Sequence, residues 1–553
     1  MIGNFQHFLS ISSPRPAVVV PLVTLSGAIE GGGELAGALR QAMLLSGSVE
    51  GGGLLSGDLA LEVLPQDLAF TLDTAITDFP LNGLLLNSEA FTSDTGQFTL
   101  YTEGTIGTLT ITGGQGVVNM GSGTRSIIAV TGADVVADVP DAFIELDVVS
   151  NGTNPTGYNN IGVGIAKDGN NFLFCSLDRR NNTIRIQVKV AGVNNFLGSI
   201  AHTMAFPSKI GLSIVGNSVI AWTYSSGTWT RRVTQDITSY INLTTADMTG
   251  WKSAFTVATP NTAVWTFDNL VTSRFGAVGI RDVTLVTHED GTPIEYSGKY
   301  RFTCSAAAPV GSHQAVYEFD PATNTITQTA VIWSDRGGTL YADLASHIIQ
   351  NDDTDGTMRY LVSSWGNGFG GVIEILHKDN VGDLTTGSHA VSGLTALNVP
   401  LIPGTDGGAY DPYLIRDGAD WLLAYAVVDD TTFVGEHFYV AAATSTDMST
   451  FTAVDDDPTR EQVEGPKMVL ANGTPYIASG GRGEHPVYDA SMVYVGEPTF
   501  SPSLYNGTDT QPHIMIFPHG AEYICLTWNN VKYSSLSFTW GDLQIYRADR
   551  YVP

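Results

Sequence analysis

Residues 417–427 read DGADWLLAYAV, a Gly-bearing turn followed by an aromatic residue and an apolar strand that ends in small residues. The same pattern occurs four more times, as SGKYRFTCSAA (297–307), DGTMRYLVSSW (355–365), NGTPYIASGG (472–481) and HGAEYICLTW (519–528). The leading aromatic residues lie at intervals of 60, 61, 55 and 47 residues: Tyr300, Tyr360, Trp421, Tyr476 and Tyr523. Because a four-stranded blade takes about 40 to 60 residues, this repeat predicts a five-bladed β-propeller over residues 276–553.

A second pattern lies just before each repeat, on the segments that a propeller places innermost, around its central channel. The segments are GIRDVTLVTHEDG, YADLASHIIQNDDTDG, AYDPYLIRDG, VEGPKMVLANG and TQPHIMIFPHG. Each carries an acidic residue or a histidine at a comparable position: Asp282, His347, Asp411, Glu464 and His513. Carboxylates that are crowded together raise one another's pKa, so three of them at one rim indicate a site that uses them. A glycosidase uses such a set, because one carboxyl group must donate a proton while another stays ionised.

The region before the propeller, residues 90–275, has short alternating runs separated by NG, DG and GN turns. Runs such as AFIELDVVSNG and TIRIQVKVAGV predict an antiparallel sandwich. The order of the runs and the closing strand WTFDNLVTS resemble concanavalin-like jelly rolls, which often accompany carbohydrate-active domains. The predicted fold is therefore all-β, with a short Gly-rich N-terminal repeat, a jelly-roll sandwich and a propeller.

The N-terminal region, residues 1–89, contains a short internal repeat. LSGAIEGGGELAGAL (25–39) returns as LSGSVEGGGLLSGDL (45–59) with its GGG triplet intact. Each copy is too short to bury a core alone, so it must pack against its neighbour or against copies from other chains. We expect an anchoring element that forms a homotrimer or a closed ring of another order, and a flexible Gly-rich linker is the alternative.

The composition limits the class of protein. The 553 residues include 26 Lys and Arg against 55 Asp and Glu, a net charge of −29, which argues against a nucleic-acid or membrane-surface binder. With 43% hydrophobic residues, 15% charged residues and 61 glycines, the chain is predicted to be globular and rich in strands and turns. The three cysteines, Cys175, Cys304 and Cys525, are too scattered for a disulfide framework and are predicted to be buried thiols.

The C-terminal region resembles glycoside hydrolase family 43 and its five-bladed relatives. The closest local match is Glu464-Gly465-Pro466, because the general acid of that family lies in an EGP segment. The resemblance implies that Glu464 is the general acid, that Asp411 in AYDPYLIRDG tunes its pKa, and that Asp282 in GIRDVTLV is the general base. The sequence departs from the family at Val283, where a proline is expected, and in a longer first hairpin.

Four further residues are candidates for binding roles. His513 lies where members of the family place a histidine near a central metal ion, often calcium, and a neutral hydrogen-bonded histidine is the alternative. His347, Trp421 and Arg482 are candidate substrate-binding residues, and Arg482 follows the EGP segment within the same blade. No other cofactor is predicted.

The order of the regions resembles that of bacteriophage tail fibres, tailspikes and head spikes. We expect neither a signal peptide nor a membrane-spanning helix, since no basic region precedes an apolar stretch and no apolar run approaches about 18 residues. A particle-surface protein that leaves the cell by lysis needs neither. The partners expected on this hypothesis are host cell-surface polysaccharide, which the propeller would bind or hydrolyse, and other virion proteins, which would contact the N-terminal region.

Two other functions fit the same sequence. One is a soluble bacterial glycosidase of the family 43 type that acts on arabinan or xylan. The other is a lectin-like adhesin that keeps both folds and lacks catalysis, because a binding pocket and a hydrolytic pocket differ only in the placement of a few carboxylates.

Overall fold

The structure is a computed structural model of the chain, and it consists almost entirely of strands. It describes residues 44–45, 49–50, 54–55, 59–91, 98–104, 108–120, 124–136, 138–151, 159–245, 249–259, 262–352, 356–365, 373–401, 407–429, 438–460, 462–481, 483–504, 512–529, 532–536 and 538–552. In this part of the chain, the one helix is the short 3-10 turn Pro65–Asp67, and no helix has the length and apolar character to cross a membrane.

The chain divides into two compact units, residues 1–62 with 551–553 and residues 63–550. In the first unit, Leu44–Leu45, Leu59–Glu62 and Tyr551–Val552 form a three-stranded sheet, and Val49–Glu50 pairs with Leu54–Leu55. The first copy of the Gly-rich repeat lies outside the described residues, so its role in anchoring and trimer formation stays a prediction.

The second unit begins with a sandwich of two antiparallel sheets. One sheet has seven strands, in the order Val193–Ala201, Thr183–Val190, Asn171–Asp178, Asn160–Asp168, Lys252–Ala258, Thr124–Asp134 and Thr99–Gly104. The other has eight, namely Thr228–Asp236, Ser218–Ser225, Ser208–Val215, Asp141–Asn151, Ala263–Phe275, Gln115–Met120 and Thr108–Thr112, with Asn82–Glu89 paired to Ala263–Phe275. Alternate residues such as Ile161, Val163 and Ile165 enter the core between the sheets, as the two-residue period of a strand requires.

Five further sheets form the propeller. The first contains Gly279–Leu285, Lys299–Ala307, Ser312–Asp320, Thr325–Arg336 and Thr339–Tyr341, with Glu295–Tyr296 and Gly387–Ser392 added at its sides. The second contains Thr287–His288, Leu344–Gln350, Met358–Ser364, Glu374–Val381 and Thr395–Ala396. The third contains Gly408–Asp417, Asp420–Val428, Phe438–Ser445 and Thr452–Asp456, and the fourth Val463–Ala471, Thr474–Gly481, Val487–Asp489 and Tyr494–Gly496.

The fifth blade contains strands from both ends of the second unit. Its order is Met515–His519, Glu522–Trp528, Leu543–Asp549, Ala69–Ile76 and Thr499–Ser501, and a separate hairpin pairs Lys532–Leu536 with Phe538–Trp540. The inner strands of blades one to five contact one another in sequence, and the fifth contacts the first. The ring is therefore closed, and the prediction of an all-β chain with a sandwich and a five-bladed propeller is confirmed.

The structure corrects the boundary that was expected at residue 89. Ala69–Ile76 lies in the propeller, antiparallel to Leu543–Asp549, and Asn82–Glu89 lies in the sandwich. An outer strand of a blade has unpaired backbone groups at its edge, and the N-terminal strand covers that edge of Leu543–Asp549. The three predicted cysteine thiols are free and buried, as expected.

The sandwich packs directly on the propeller. The shared cluster consists mainly of Phe143, Val215, Ile220, Trp222, Phe275, Ala307, Val331 and Trp333. A buried ionisable pair lies close to it, with His313 Nδ1 3.4 Å from Asp141 Oδ2. The backbone N–H of Phe275 donates to Asp141 Oδ1 at 2.7 Å, and Arg274 donates to the carbonyl of Asp141 at 2.7 Å. Burial raises the pKa of Asp141 to about 7, so its carboxylate is an energetic cost at the interface.

Candidate active site

A β-bulge in each inner strand of blades one to four positions the channel residues. The pairing register shifts between Arg281 and Thr284, Leu344 and His347, Tyr410 and Tyr413, and Glu464 and Lys467. The second residue of each of these four-residue segments has a left-handed backbone: Asp282 (φ 59°), Ala345 (φ 50°), Asp411 (φ 54°) and Gly465 (φ 62°). A bulge of this kind re-aims side chains beside it, and here it recurs around the channel.

The bulges correct the alignment that the sequence suggested. Asp282 and Asp411 are equivalent, as predicted, but Glu464 lies one residue earlier, level with Arg281 and Tyr410. His347 lies two residues later than the equivalent position, level with Lys467. The sequence could not show this offset, because the level of each residue in the channel is set by pairing with the neighbouring strand.

The three predicted catalytic carboxylates meet around His513. The Nδ1 atom of His513 lies 3.7 Å from Asp282 Oδ1, and its Nε2 atom lies 3.3 Å from Asp411 Oδ2 and 3.7 Å from Glu464 Oε1. His513 is fully buried, whereas Glu464 keeps 8% of its surface exposed and Asp282 and Asp411 keep 2% each. Residues from blades one, three, four and five therefore form one cluster at the channel.

Two residues that the sequence analysis missed contact the carboxylates. Arg281 Nε donates to Asp282 Oδ1 at 2.9 Å, and Arg281 Nη2 lies 3.6 Å from Glu464 Oε1. The Tyr410 hydroxyl donates to Glu464 Oε2 at 3.0 Å. Both residues immediately precede the bulge aspartates, so their positions beside the predicted acids were the available signal.

Electrostatics separates the pKa values of the acids. Burial opposes ionisation of Asp282, but the charge of Arg281 and the adjacent His513 outweigh it and lower the pKa of Asp282 below its ordinary value. Burial raises the pKa of Glu464 to about 6 and that of Asp411 to about 7. Burial also lowers the pKa of His513 to about 4, so its ring is neutral at pH 7. One carboxylate is thus held ionised while its neighbours retain protons more readily, which is the division of roles that acid–base chemistry needs.

His347 does not contact this cluster. Its ring is fully buried and stacks on Tyr413, with the ring centroids 4.1 Å apart. The backbone N–H of Leu414 donates to His347 Nδ1 at 3.2 Å, so the proton lies on Nε2, 3.0 Å from the Thr287 hydroxyl. Both ring nitrogens are occupied by protein partners, and the contacts indicate a structural histidine that links blades.

Trp421 does not lie at the site either. Trp421 pairs with Arg416, at the opposite end of the strand Gly408–Asp417 from Asp411, a distance of roughly 16 Å along the strand. Trp421 is 7% exposed, and two guanidinium groups lie near its ring, with Arg359 at 4.2 Å and Arg416 at 5.8 Å from the ring centroid. Trp421 therefore packs against arginine side chains and away from the carboxylates. Arg482 lies outside the described residues.

The expected calcium ion does not fit the residues at this place. Asp411, Glu464 and His513 offer three ligand atoms within 4.8 Å of one another. Calcium takes six to eight oxygen ligands, whereas the two carboxyl groups of this set offer at most four oxygens and the third residue offers a ring nitrogen. We therefore assign His513 a neutral role between the carboxylates.

No family model and no curated protein matches the chain. Among solved structures, the inulosucrase of Halalkalicoccus jeotgali bound to kestose is 13% identical over 49% of this chain and 84% of its own, with a TM-score of 0.36. A Bacillus subtilis levansucrase is 9% identical over 48% and 83%, with a TM-score of 0.35. The carbohydrate-binding module CBM66 of Bacillus subtilis is 13% identical over 32% and 94%, with a TM-score of 0.24. The fold described above rests on strand pairing and does not depend on these likenesses.

Proposed function

We propose that the propeller is a glycoside hydrolase of the inverting type, with Glu464 as general acid, Asp282 as general base and Asp411 as the residue that tunes the acid. One observation supports the proposal above others. Carboxylates from three blades converge on one neutral histidine, and their surroundings lower the pKa of one acid and raise those of the other two. Hydrolysis of a glycosidic bond needs this pairing of an ionised base with a protonated acid.

The proposed reaction follows from these states. Glu464 donates its proton to the glycosidic oxygen as the bond to the anomeric carbon breaks, and the electron pair of that bond stays on the leaving oxygen. Asp282 removes a proton from a water molecule as the water oxygen bonds to the same carbon. The neighbouring charge of Arg281 favours an ionised Asp282 before the water is activated, and Asp282 must return the proton that it takes before the next turnover.

The test compares the parent protein with Glu464→Gln. Each is incubated with bacterial capsular polysaccharide, arabinan and xylan, and new reducing ends are measured. The neutral amide is nearly isosteric but cannot donate the proton, so we expect the rate to fall by roughly 10²- to 10⁴-fold while polysaccharide affinity changes little. Glu484→Gln is the matched control, because the side chain of Glu484 is partly exposed (42%) in the same blade and pairs with Arg460.

The results separate the candidate functions. Cleavage by the parent and by Glu484→Gln, with binding alone by Glu464→Gln, would support the hydrolase. Binding without cleavage by all three would contradict it and support the adhesin. Equal cleavage by all three would show that another residue is the acid.

We further propose that this enzyme acts from the surface of a phage particle as a homotrimer, on host surface polysaccharide. The support is the repeated GGG unit at 25–59, which cannot make a core alone, together with the order of the regions in the sequence. Sedimentation of the full chain tests the trimer, and a monomer at micromolar concentration would contradict it. Cleavage of capsule but not of arabinan or xylan would favour the particle over the soluble bacterial enzyme.

A further inference from the structure

We propose that Tyr410 is the positioning residue of the general acid: its hydroxyl holds one oxygen of Glu464, and the other oxygen is the one that delivers the proton. The inference rests on the proposed function and adds a residue that the sequence analysis did not assign. It predicts which oxygen of Glu464 faces the leaving group.

The two oxygens of Glu464 have different surroundings. Oε2 accepts a hydrogen bond from the Tyr410 hydroxyl at 3.0 Å. Oε1 lies 3.6 Å from Arg281 Nη2 and 3.7 Å from His513 Nε2, both longer than a hydrogen bond. Among the described contacts, Oε1 accepts no hydrogen bond, so it is the oxygen that a substrate can approach.

The backbone places the two partners at the same level of the channel. Tyr410 and Glu464 each immediately precede the left-handed residue of their bulge, in blades three and four. The Tyr410 ring is buried beside Trp365 and Phe438, with ring centroids 5.2 Å and 6.4 Å away. A rigid aromatic side chain held on two sides keeps its hydroxyl in place, and this limits the rotation of the carboxyl group.

A tyrosine suits this role because it donates without removing the acidic proton. Burial and the adjacent Glu464 hold the pKa of Tyr410 well above its ordinary value, so its hydroxyl stays a donor. When Glu464 transfers its proton from Oε1 to the glycosidic oxygen, a carboxylate forms and the bond from Tyr410 becomes charge-assisted. The interaction is then stronger in the transition state than in the ground state, and it should contribute to kcat rather than to KM.

The experiment compares Tyr410→Phe with Tyr413→Phe. Tyr413 is also fully buried on the same strand, but its hydroxyl has no hydrogen-bond partner among the described residues. The probes are phenyl and 4-nitrophenyl glycosides of α-L-arabinofuranose and β-D-xylose. The nitrophenolate leaves readily without an acid, whereas the phenolate leaves poorly.

We expect Tyr410→Phe to lower kcat on the phenyl glycoside by roughly 10- to 100-fold, the effect of one hydrogen bond to a charged group, with KM unchanged. On the 4-nitrophenyl glycoside, the loss should be below about threefold, because that step needs little acid assistance. Tyr413→Phe should match the parent on both probes. A merely structural defect would lower both rates together and would not depend on the leaving group.

The failures of the two proposals are distinguishable. If Glu464→Gln loses activity on the phenyl glycoside and Tyr410→Phe does not, Tyr410 has no positioning role while the hydrolase stands. If the parent cleaves none of the glycosides or polysaccharides, the hydrolase fails, and crystal structures of the two tyrosine variants then decide the inference. Displacement of the Glu464 carboxyl group in Tyr410→Phe alone would support positioning, and an unmoved carboxyl group would overturn it.

Discussion

Replacing Gly465 by alanine tests how the bulge of blade four makes room for the central histidine. A Cβ atom on Gly465 would lie 2.0 Å from Cδ2 and Cγ of His513 and 2.3 Å from its Nδ1. Such distances are far below van der Waals contact, so the imidazole ring must move. Gly465 also has φ +62°, a left-handed conformation that alanine adopts only with strain.

The backbone cost and the packing cost can be added to estimate the loss of unfolding free energy in Gly465→Ala. The left-handed backbone costs roughly 1–2 kcal/mol for a residue with a Cβ. Forcing an extra carbon into a packed site costs about 1–3 kcal/mol more. Gly465→Ala should therefore lower the free energy of unfolding by roughly 2–5 kcal/mol, and it should also move His513 away from Asp411 and lower any hydrolytic rate.

The control is Gly473→Ala, in the hairpin turn of the same blade. Gly473 has φ +72°, but a Cβ atom there meets nothing within 4 Å. This variant should show only the backbone cost, about 1–2 kcal/mol. The assay is urea unfolding followed by tryptophan fluorescence, with both variants compared with the parent. Equal losses of unfolding free energy in the two variants would contradict the prediction, because no cost could then be assigned to the contact with His513.

Three further predictions concern pH, truncation and the interface. The value of kcat/KM should be highest between about pH 4 and 6, since Asp282 must be ionised and the pKa of Glu464 is about 6, and a plateau extending beyond pH 8 would contradict these roles. Deleting residues 1–80 should prevent folding, because it removes the strand that pairs with Leu543–Asp549, whereas deleting 1–58 should leave the thermal unfolding of the larger unit unchanged. Asp141→Asn should be more stable than the parent at pH 8, by on the order of 1 kcal/mol or more, and this advantage should shrink toward pH 4. The folded pKa of Asp141 is raised from 3.8, so the native state of the parent binds more protons than its unfolded chain between pH 4 and 7, and the parent loses stability as the pH rises. A difference between the two proteins in urea unfolding that does not change with pH would contradict this prediction.

The architecture and much of the site can be predicted from the amino-acid sequence. The aromatic residue and small-residue strand of each blade recur because every blade packs against neighbours of the same shape. The repeat can therefore be recognised within short stretches of the sequence. The same repetition brought Asp282 and Asp411 to equivalent positions, and it placed Glu464, one residue earlier, and His513 on inner segments that face the same channel.

The remaining features depend on residues far apart in the chain, so they become visible only in the folded protein. The strand Ala69–Ile76 closes the fifth blade beside a strand more than 400 residues later, a pairing that no local pattern specifies. Trp421 has the same place in its repeat as the other leading aromatics, yet the guanidinium groups around it come from another strand and another blade. The bulges that set Glu464 level with Tyr410 and Arg281 are irregularities in the pairing between strands. The hydrogen bond between Tyr410 and Glu464 joins two blades, so it forms only when the blades pack together.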